Sequence, residues 1–217
     1  MPCEDACMNM KKIAGGLLMG IGAALVCGAL ILFLRNQQED AQAGVSADRL
    51  LPQIVAYIED TAEREDKAEQ TEIGDTVEAP VYGTEMTEVM IDGFAYVGYL
   101  SIPALKLELP VMSAWNYDRL KIAPCRYYGS TKSDDMVIAA HNYSQHFGTL
   151  KNLSAGDAVY FTDMDGVVWA YAVTEIAILP PTAVAEMTRG DYDLTLFTCT
   201  YGGQSRVTVR CRRAGDA

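Results

Sequence analysis

Leu194 to Arg212 reads LTLFTCTYGGQSRVTVRCR. An apolar run ends at a cysteine flanked by threonines, a short loop TYGGQS follows, and a second run begins at Arg206. In that second run Val207, Val209 and Cys211 alternate with Arg206, Thr208 and Arg210. A period of two puts these sets on opposite faces of a strand. The two runs read as adjacent antiparallel strands, so their loop brings Cys199 and Arg206 to one end of a sheet. Cys199 is then a buried small hydrophobe, half of a disulfide, or a nucleophile.

Upstream the same grammar repeats from about Gly93. YVGYLSIPAL and LELPVM are two short strands broken by Pro103 and Lys106, and DMVIAAHN is a buried strand ending at His141. AVYFTDMDG and VVWAYAVTEIAIL are strands joined at a tight Asp165-Gly166 turn, a strong hairpin signal. NYDRLKIAP makes one or two helical turns before Pro124, and TAVAEM is a short helix with Thr182 as its N-cap. Many short strands with few helices argue for a closed barrel or a sandwich.

The N-terminal third is different. Ile13 to Leu34 carries no charged residue and is long enough to cross a bilayer as a helix. Lys11 and Lys12 precede it, which sets residues 1–12 in the cytoplasm and the rest outside the cell. No small-residue cleavage site follows, so the segment reads as a retained anchor. The net charge of −12 belongs to residues 36–92, with 15 acidic against 3 basic side chains; this reads as a solvated stalk (35–92) with one short helix after Pro52. The domain at 93–217 is almost neutral and has no basic face for nucleic acid. Of six cysteines, Cys125, Cys199 and Cys211 fall in that domain, an odd number that cannot all pair. Cys125 and Cys211 could form a disulfide, since an exported location permits one, but their settings in APCRYY and on an apolar strand face favour two buried thiols.

Two histidines, a cysteine at a strand end and an arginine opening the next strand are the parts of a thiol acyl transfer. The chemistry needs a thiolate, a proton donor for a leaving amine and positive donors for an oxyanion. Such residue types alone are weak warrant, since cysteine is often a core filler.

The pattern as a whole is more specific. TLFTCTYGGQSR resembles the sortase signature, in which Thr-Leu-x-Thr-Cys ends the seventh strand and an arginine lies on the eighth. VIAAHNYSQHFGTL resembles the segment around the family's catalytic histidine, and YLSIPALKLELPVM its opening strands. The resemblance covers about residues 93–213 in the family's order. It implies a mostly β fold, a closed eight-stranded barrel with short helices, behind the transmembrane helix and a helical or irregular stalk. It implies a membrane-anchored cysteine transpeptidase that cleaves a C-terminal sorting motif after Thr and passes the acyl group to an amine of cell-wall precursor or of a pilin subunit. Its partners would be surface proteins bearing that signal, with no metal or organic cofactor.

Carried over residue by residue, Cys199 is the nucleophile, His141 the general acid, and Arg206 the donor to substrate backbone and oxyanion. Asn142 and Tyr143 could orient His141 or line the groove, Thr198 and Tyr201 are further candidate groove residues, and His146 has no assigned role. HNYSQHFGTLKNL and the tyrosine after TCT resemble class B, although the interval from Pro180 to Asp193 lacks that class's long helical insertion. Asp134 and Asp135 stand where some class A enzymes bind calcium and read as a polar turn. L,D-transpeptidases, with their Ser-His-Gly-Cys pattern, do not fit LFTCTY. The alternative reading is a non-catalytic tethered β-domain that binds an envelope component, with Cys199 inert.

Overall fold

The computed structural model describes residues 2–69, 85–189 and 191–215, with side chains from residue 15 to 64 in the first segment. The chain divides into two compact units, 1–41 and 42–217. The described residues of the first lie within α1 (Pro2–Glu69), and their side chains from Leu17 to Leu34 are exposed and apolar. It contains the one stretch among the described residues long and apolar enough to cross a membrane.

The second unit is built from nine strands, β1 (Val89–Ile91), β2 (Phe94–Ile102), β3 (Leu107–Met112), β4 (Cys125–Tyr128), β5 (Met136–Ala139), β6 (Ala158–Asp163), β7 (Val168–Leu179), β8 (Leu194–Cys199) and β9 (Arg206–Arg213). Eight of them close a barrel in the order β2-β3-β4-β5-β8-β9-β7-β6, with β6 pairing back to β2. The three-residue β1 hangs on β2 outside the ring. Closure needs a residue without a side chain. Gly98 sits at a bulge where β2 turns from β3 towards β6, and a Cβ there would lie 2.0 Å from the Thr162 carbonyl oxygen.

Alternation along the strands separates two apolar clusters. Val97, Leu100, Ile138, Phe161, Tyr171, Leu196, Val209 and Cys211 fill the barrel. Tyr96, Met112, Cys125, Val137, Ala139 and Phe197 form an outer cluster, covered by Leu50 and Ile54 of α1, by Leu120 of α2 (Tyr117–Leu120) and by Met187 of α3 (Val184–Thr188). Cys125 and Cys211 are free thiols, one in each cluster, which decides between the two readings the sequence leaves open. Burial pushes both thiols up to about 12.

Three local expectations are corrected. Helix α1 does not start after Pro52 but runs through it. Within the second unit Ala43, Ala47, Leu50 and Ile54 form one helical face buried on the barrel, and that burial outweighs the roughly 3 kcal/mol an interior proline costs. Residues read as stalk are therefore partly built into the domain, and Met86 and β1 join it as well. The linker from Thr71 as far as residue 84 lies outside the described residues, as do the side chains of Lys11 and Lys12. At α3 the N-cap is Ala183, not Thr182, with no side-chain cap bond. Finally, β4 is a barrel strand that the sequence pattern does not single out.

The other signals hold. Asn116 caps α2 by accepting from Arg119 N (2.8 Å). The β6–β7 turn has Gly166 at φ +80°, and buried Asp163 accepts from Asp165 N, Val167 N and the Trp169 indole. Burial raises the Asp163 carboxyl above its ordinary range. Asp135 accepts from Ser130 N and the Ser133 hydroxyl, and Asp134 pairs with Arg213, so this segment is a tied turn.

Candidate active site

The barrel's one extended parallel pairing, β5 beside β8, decides where the chemistry sits. Met136 to Ala139 run in register with Leu194 to Phe197. Parallel partners finish at the same end, so the residues just past β5 arrive beside the last residues of β8. Two hydrogen bonds continue the ladder past the strands. Ala140 N donates to the Phe197 carbonyl (3.2 Å), and the Thr198 hydroxyl donates to the Ala140 carbonyl (2.8 Å). His141 is the next residue. On the other side β9 runs antiparallel to β8, with Cys199 and Arg206 as Cα partners at the same end.

Parity then sets the face. Leu196 points into the barrel and Phe197 out, so Thr198 points in and Cys199 out. Ala139 points out, and two residues later His141 follows it. A cavity of about 180 Å³ on this outer face is lined by His141, Cys199 and Arg206 together with Trp115, Tyr127, Phe197, Pro181, Val184 and Met187. A larger cavity, about 480 Å³, lies between the second part of α1 and the β2–β3 corner, lined by Asp48, Leu51, Lys106 and Glu108 and by neither cysteine nor histidine. Size does not select the site; chemistry does.

Cys199 is half-buried and free. The Arg206 guanidinium is held from behind, its Nη1 donating to the carbonyls of Gly203 (3.0 Å) and Ser205 (3.1 Å). The β8–β9 loop that presents these carbonyls is itself tied, because Thr200 N donates to the Ser205 carbonyl and Ser205 N to the Thr200 hydroxyl. His141 is half-buried with its ring against Tyr143, centroids 4.8 Å apart.

The remaining expected residues are distributed unevenly. Thr198 is buried with its hydroxyl committed to Ala140, so the side chain faces away from the groove. Asn142 is half-buried beside His141, and Tyr143 is buried behind that ring. Tyr201 is 93 % exposed in the loop and does not line the cavity. His146, expected on a loop with no role, is fully buried.

The groove walls were not anticipated. Phe197 and Ala139 are two residues before Cys199 and His141, so strand parity alone would have found them. Trp115 and Tyr127 carry no such local signal. They arrive through the β3–β4 connection and β4, and make a contact series with Phe197, Trp115 tilted on Tyr127 at 5.2 Å and Tyr127 edge-to-face with Phe197 at 5.2 Å. Among the described residues no group of three or more His, Cys, Asp or Glu could hold a metal ion.

Comparison with known proteins bears on the family and the fold. The sortase domain family model matches residues 100–214, and the chain belongs to that family. It is 29 % identical over 122 residues to Sortase A of Bacillus anthracis, covering 53 % of this chain and 57 % of that protein. A Listeria monocytogenes Sortase A is 28 % identical over 119 residues, covering 50 % and 51 %. The matches thus span between half and three-fifths of these relatives. Among solved structures, sortase C1 of Streptococcus agalactiae superposes with a TM-score of 0.51 at 27 % identity, over 59 % of this chain and 72 % of that one. Sortase C of Streptococcus pneumoniae gives 0.52 at 22 % identity over 77 % and 95 %, a likeness of fold.

Proposed function

We propose that this sortase-family protein is a membrane-anchored cysteine transpeptidase in which Cys199, His141 and Arg206 act together. One observation carries the reading: Cys199 and Arg206 are register partners, and His141 opens into the same outer-face cavity. The Cys199 thiolate adds to the carbonyl carbon of the scissile peptide bond, and the oxygen becomes an oxyanion facing Arg206. The tetrahedral species collapses to a thioester as the C–N bond breaks, and protonated His141 gives its proton to the departing amine. An incoming amine then adds to the thioester, His141 takes a proton back, and Cys199 leaves as thiolate. An amide is lost and an amide is gained, so no oxidant, metal or nucleotide enters the balance.

The apolar, aromatic walls suit an uncharged stretch of peptide upstream of the scissile bond. The acyl donor is proposed to be a surface protein with a C-terminal sorting signal, and the acceptor an amine of cell-wall precursor or of a pilin subunit. The apolar part of α1 is proposed to span the membrane with its N-terminus in the cytoplasm, which holds the enzyme where such donors are still membrane-bound. A class B preference is the finer proposal. It rests on HNYSQHFGTLKNL, whereas the described part of the β7–β8 connection holds a single helix, the five-residue α3.

The test uses the full chain in detergent micelles with fluorogenic peptides carrying class A, B and C sorting motifs, read by mass spectrometry. A thioester on Cys199, discharged faster as amine is added, is expected in wild type and absent in Cys199→Ala. Arg206→Ala should lose about 10²–10³ in kcat, as removal of an oxyanion donor does elsewhere. His141→Ala should fail at amine release. If every peptide leaves Cys199 unmodified, and alkylating Cys199 leaves partner binding intact, the domain is a binding module.

A further inference from the structure

Past β5 the chain folds back on itself. His146 N and Gly148 N both donate to the Tyr143 carbonyl (3.0 and 2.9 Å), and Phe147 N donates to the His141 carbonyl (3.1 Å). Gly148 is required there, because a Cβ would lie 2.6 Å from the Asn142 oxygen and 2.7 Å from that of Tyr143. Phe147 is fully buried in the barrel cluster and pins the turn. The result is three rings in a series: His141 and Tyr143 at 4.8 Å and 31°, then Tyr143 and His146 at 5.7 Å and 46°. Accessibility falls along the series, from half-buried His141 through Tyr143 at 8 % to His146 at 0 %.

We propose that the face of Tyr143 is the surface on which protonated His141 rests, and that His146 is the buried support holding that face in place. This deepens the transpeptidase reading and rests on His141 being its proton donor. An aromatic face carries negative potential and attracts a cation within about 6 Å of its centroid. The imidazolium needed at amine release gains that attraction, and neutral imidazole does not. A Tyr143 ring free to swing away would lose it, and the ring at position 146 closes the space behind. Tyr143 and His146 are positioning residues: they act through His141. The other charged or titratable groups lining the cavity that His141 enters are Cys199, Arg206, Tyr117 and Tyr127.

The sequence makes the test clean, because His141 and His146 are the only two histidines in the chain. With labelled histidine, the full-length protein in micelles gives two imidazole signals, and His141→Gln assigns them. Tyr143→Leu should lower the pH midpoint of the His141 ring by about half a unit, and Tyr143→Phe should leave it in place. Trifluorophenylalanine at 143 keeps the ring and withdraws charge from its face, so it should lower the midpoint even if the leucine variant misfolds. His146→Ala should lower it too, and cut kcat for peptide acylation about tenfold with KM within about twofold. His146→Met, which refills the space, should restore both. A midpoint unmoved by trifluorophenylalanine overturns the role of Tyr143, and one unmoved in folded His146→Ala overturns that of His146. The titration needs no substrate, so a wild type that acylates nothing would sink the transpeptidase reading without touching this result.

Discussion

Cys199 and Cys211 stand at opposite ends of one strand pair, and their surroundings differ in every respect that matters to a thiol. Cys211 pairs with Leu194 in register, faces the barrel interior with Val207 and Val209, and is fully buried. Cys199 pairs with Arg206, faces outward with Phe197, and opens into a cavity it shares with a histidine. Cys125 repeats the sealed arrangement in the outer cluster, its thiol donating to the Ala123 carbonyl. The difference is one of parity and of distance from the strand end, not of residue type. A cysteine packed over by other residues, as Cys211 is inside β9 and Cys125 at the start of β4, is a core atom, whereas one at an uncovered strand end, on the outer face, can meet a substrate.

The largest consequence is chemical selectivity. The nucleophile in alkylation is the thiolate, and it must also be reached. With their thiols pushed up to about 12, buried Cys125 and Cys211 hold on the order of one part in 10⁴ as thiolate at pH 8, behind packed side chains. Iodoacetamide at pH 8, followed by peptide mapping, should therefore modify Cys199 at least about 10²-fold faster than either. In denaturant the three rates should converge. Equal rates in the native protein would erase the distinction between sealed and open cysteines.

The sealed pair also makes stability depend on alkaline pH. The folded-state thiols titrate near 12 and the unfolded ones near the ordinary 9.0, so this contribution is complete below pH 9. Above pH 9 the unfolded chain binds fewer protons than the folded one, and stability falls as pH rises towards 12. The slope for each thiol is about half of 1.4 kcal/mol per pH unit at pH 9 and approaches about 1.4 kcal/mol per unit by pH 10, or ~3 kcal/mol for both. Buried Tyr96, also pushed up to about 12, steepens the loss above its ordinary 10. Urea melts under reductant at pH 8, 9 and 10, followed by fluorescence of Trp115 and Trp169, measure it. Cys211→Ala should flatten the slope between pH 9 and 10 by about half, and an unchanged slope would show that Cys211 is not sealed.

What the sequence discloses follows from how local each signal is. The β8–β9 pair, with Cys199 and Arg206 at one end, is legible because one short loop joins the strands. The β6–β7 hairpin is legible from its Asp-Gly turn. His141 is different: it reaches Cys199 through the parallel β5–β8 pairing, with β6 and β7 intervening, and no local periodicity reports such a contact. Only the family pattern pointed to it. Strand β4 escaped because four residues cannot establish an alternation, and a single pair, Met112 with Cys125, joins it to β3. Pro52 misled because its local preference is outvoted by Leu50 and Ile54 packing on the barrel, a tertiary effect. Trp115 and Tyr127 became groove walls for the same reason.

The smallest effect sharpens the comparison at neighbouring residues. Thr198 and Cys199 face opposite sides of the same strand, and the inward threonine serves the outward cysteine. Its hydroxyl donates to the Ala140 carbonyl at 2.8 Å, beyond the last β5–β8 register pair, and His141 follows directly. Thr198→Val keeps the shape and removes the donor, leaving a buried carbonyl without that bond, which costs about 1–3 kcal/mol. Thr198→Ser keeps the bond and should lose less, since it gives up only a methyl group. If Thr198 were a groove residue, Thr198→Val would raise KM for the peptide. Because its hydroxyl instead ties β8 to the segment carrying His141, the expected pattern is a lowered urea midpoint and a few-fold lower kcat, with KM unchanged. A change confined to KM would move Thr198 from the frame of the site to its surface.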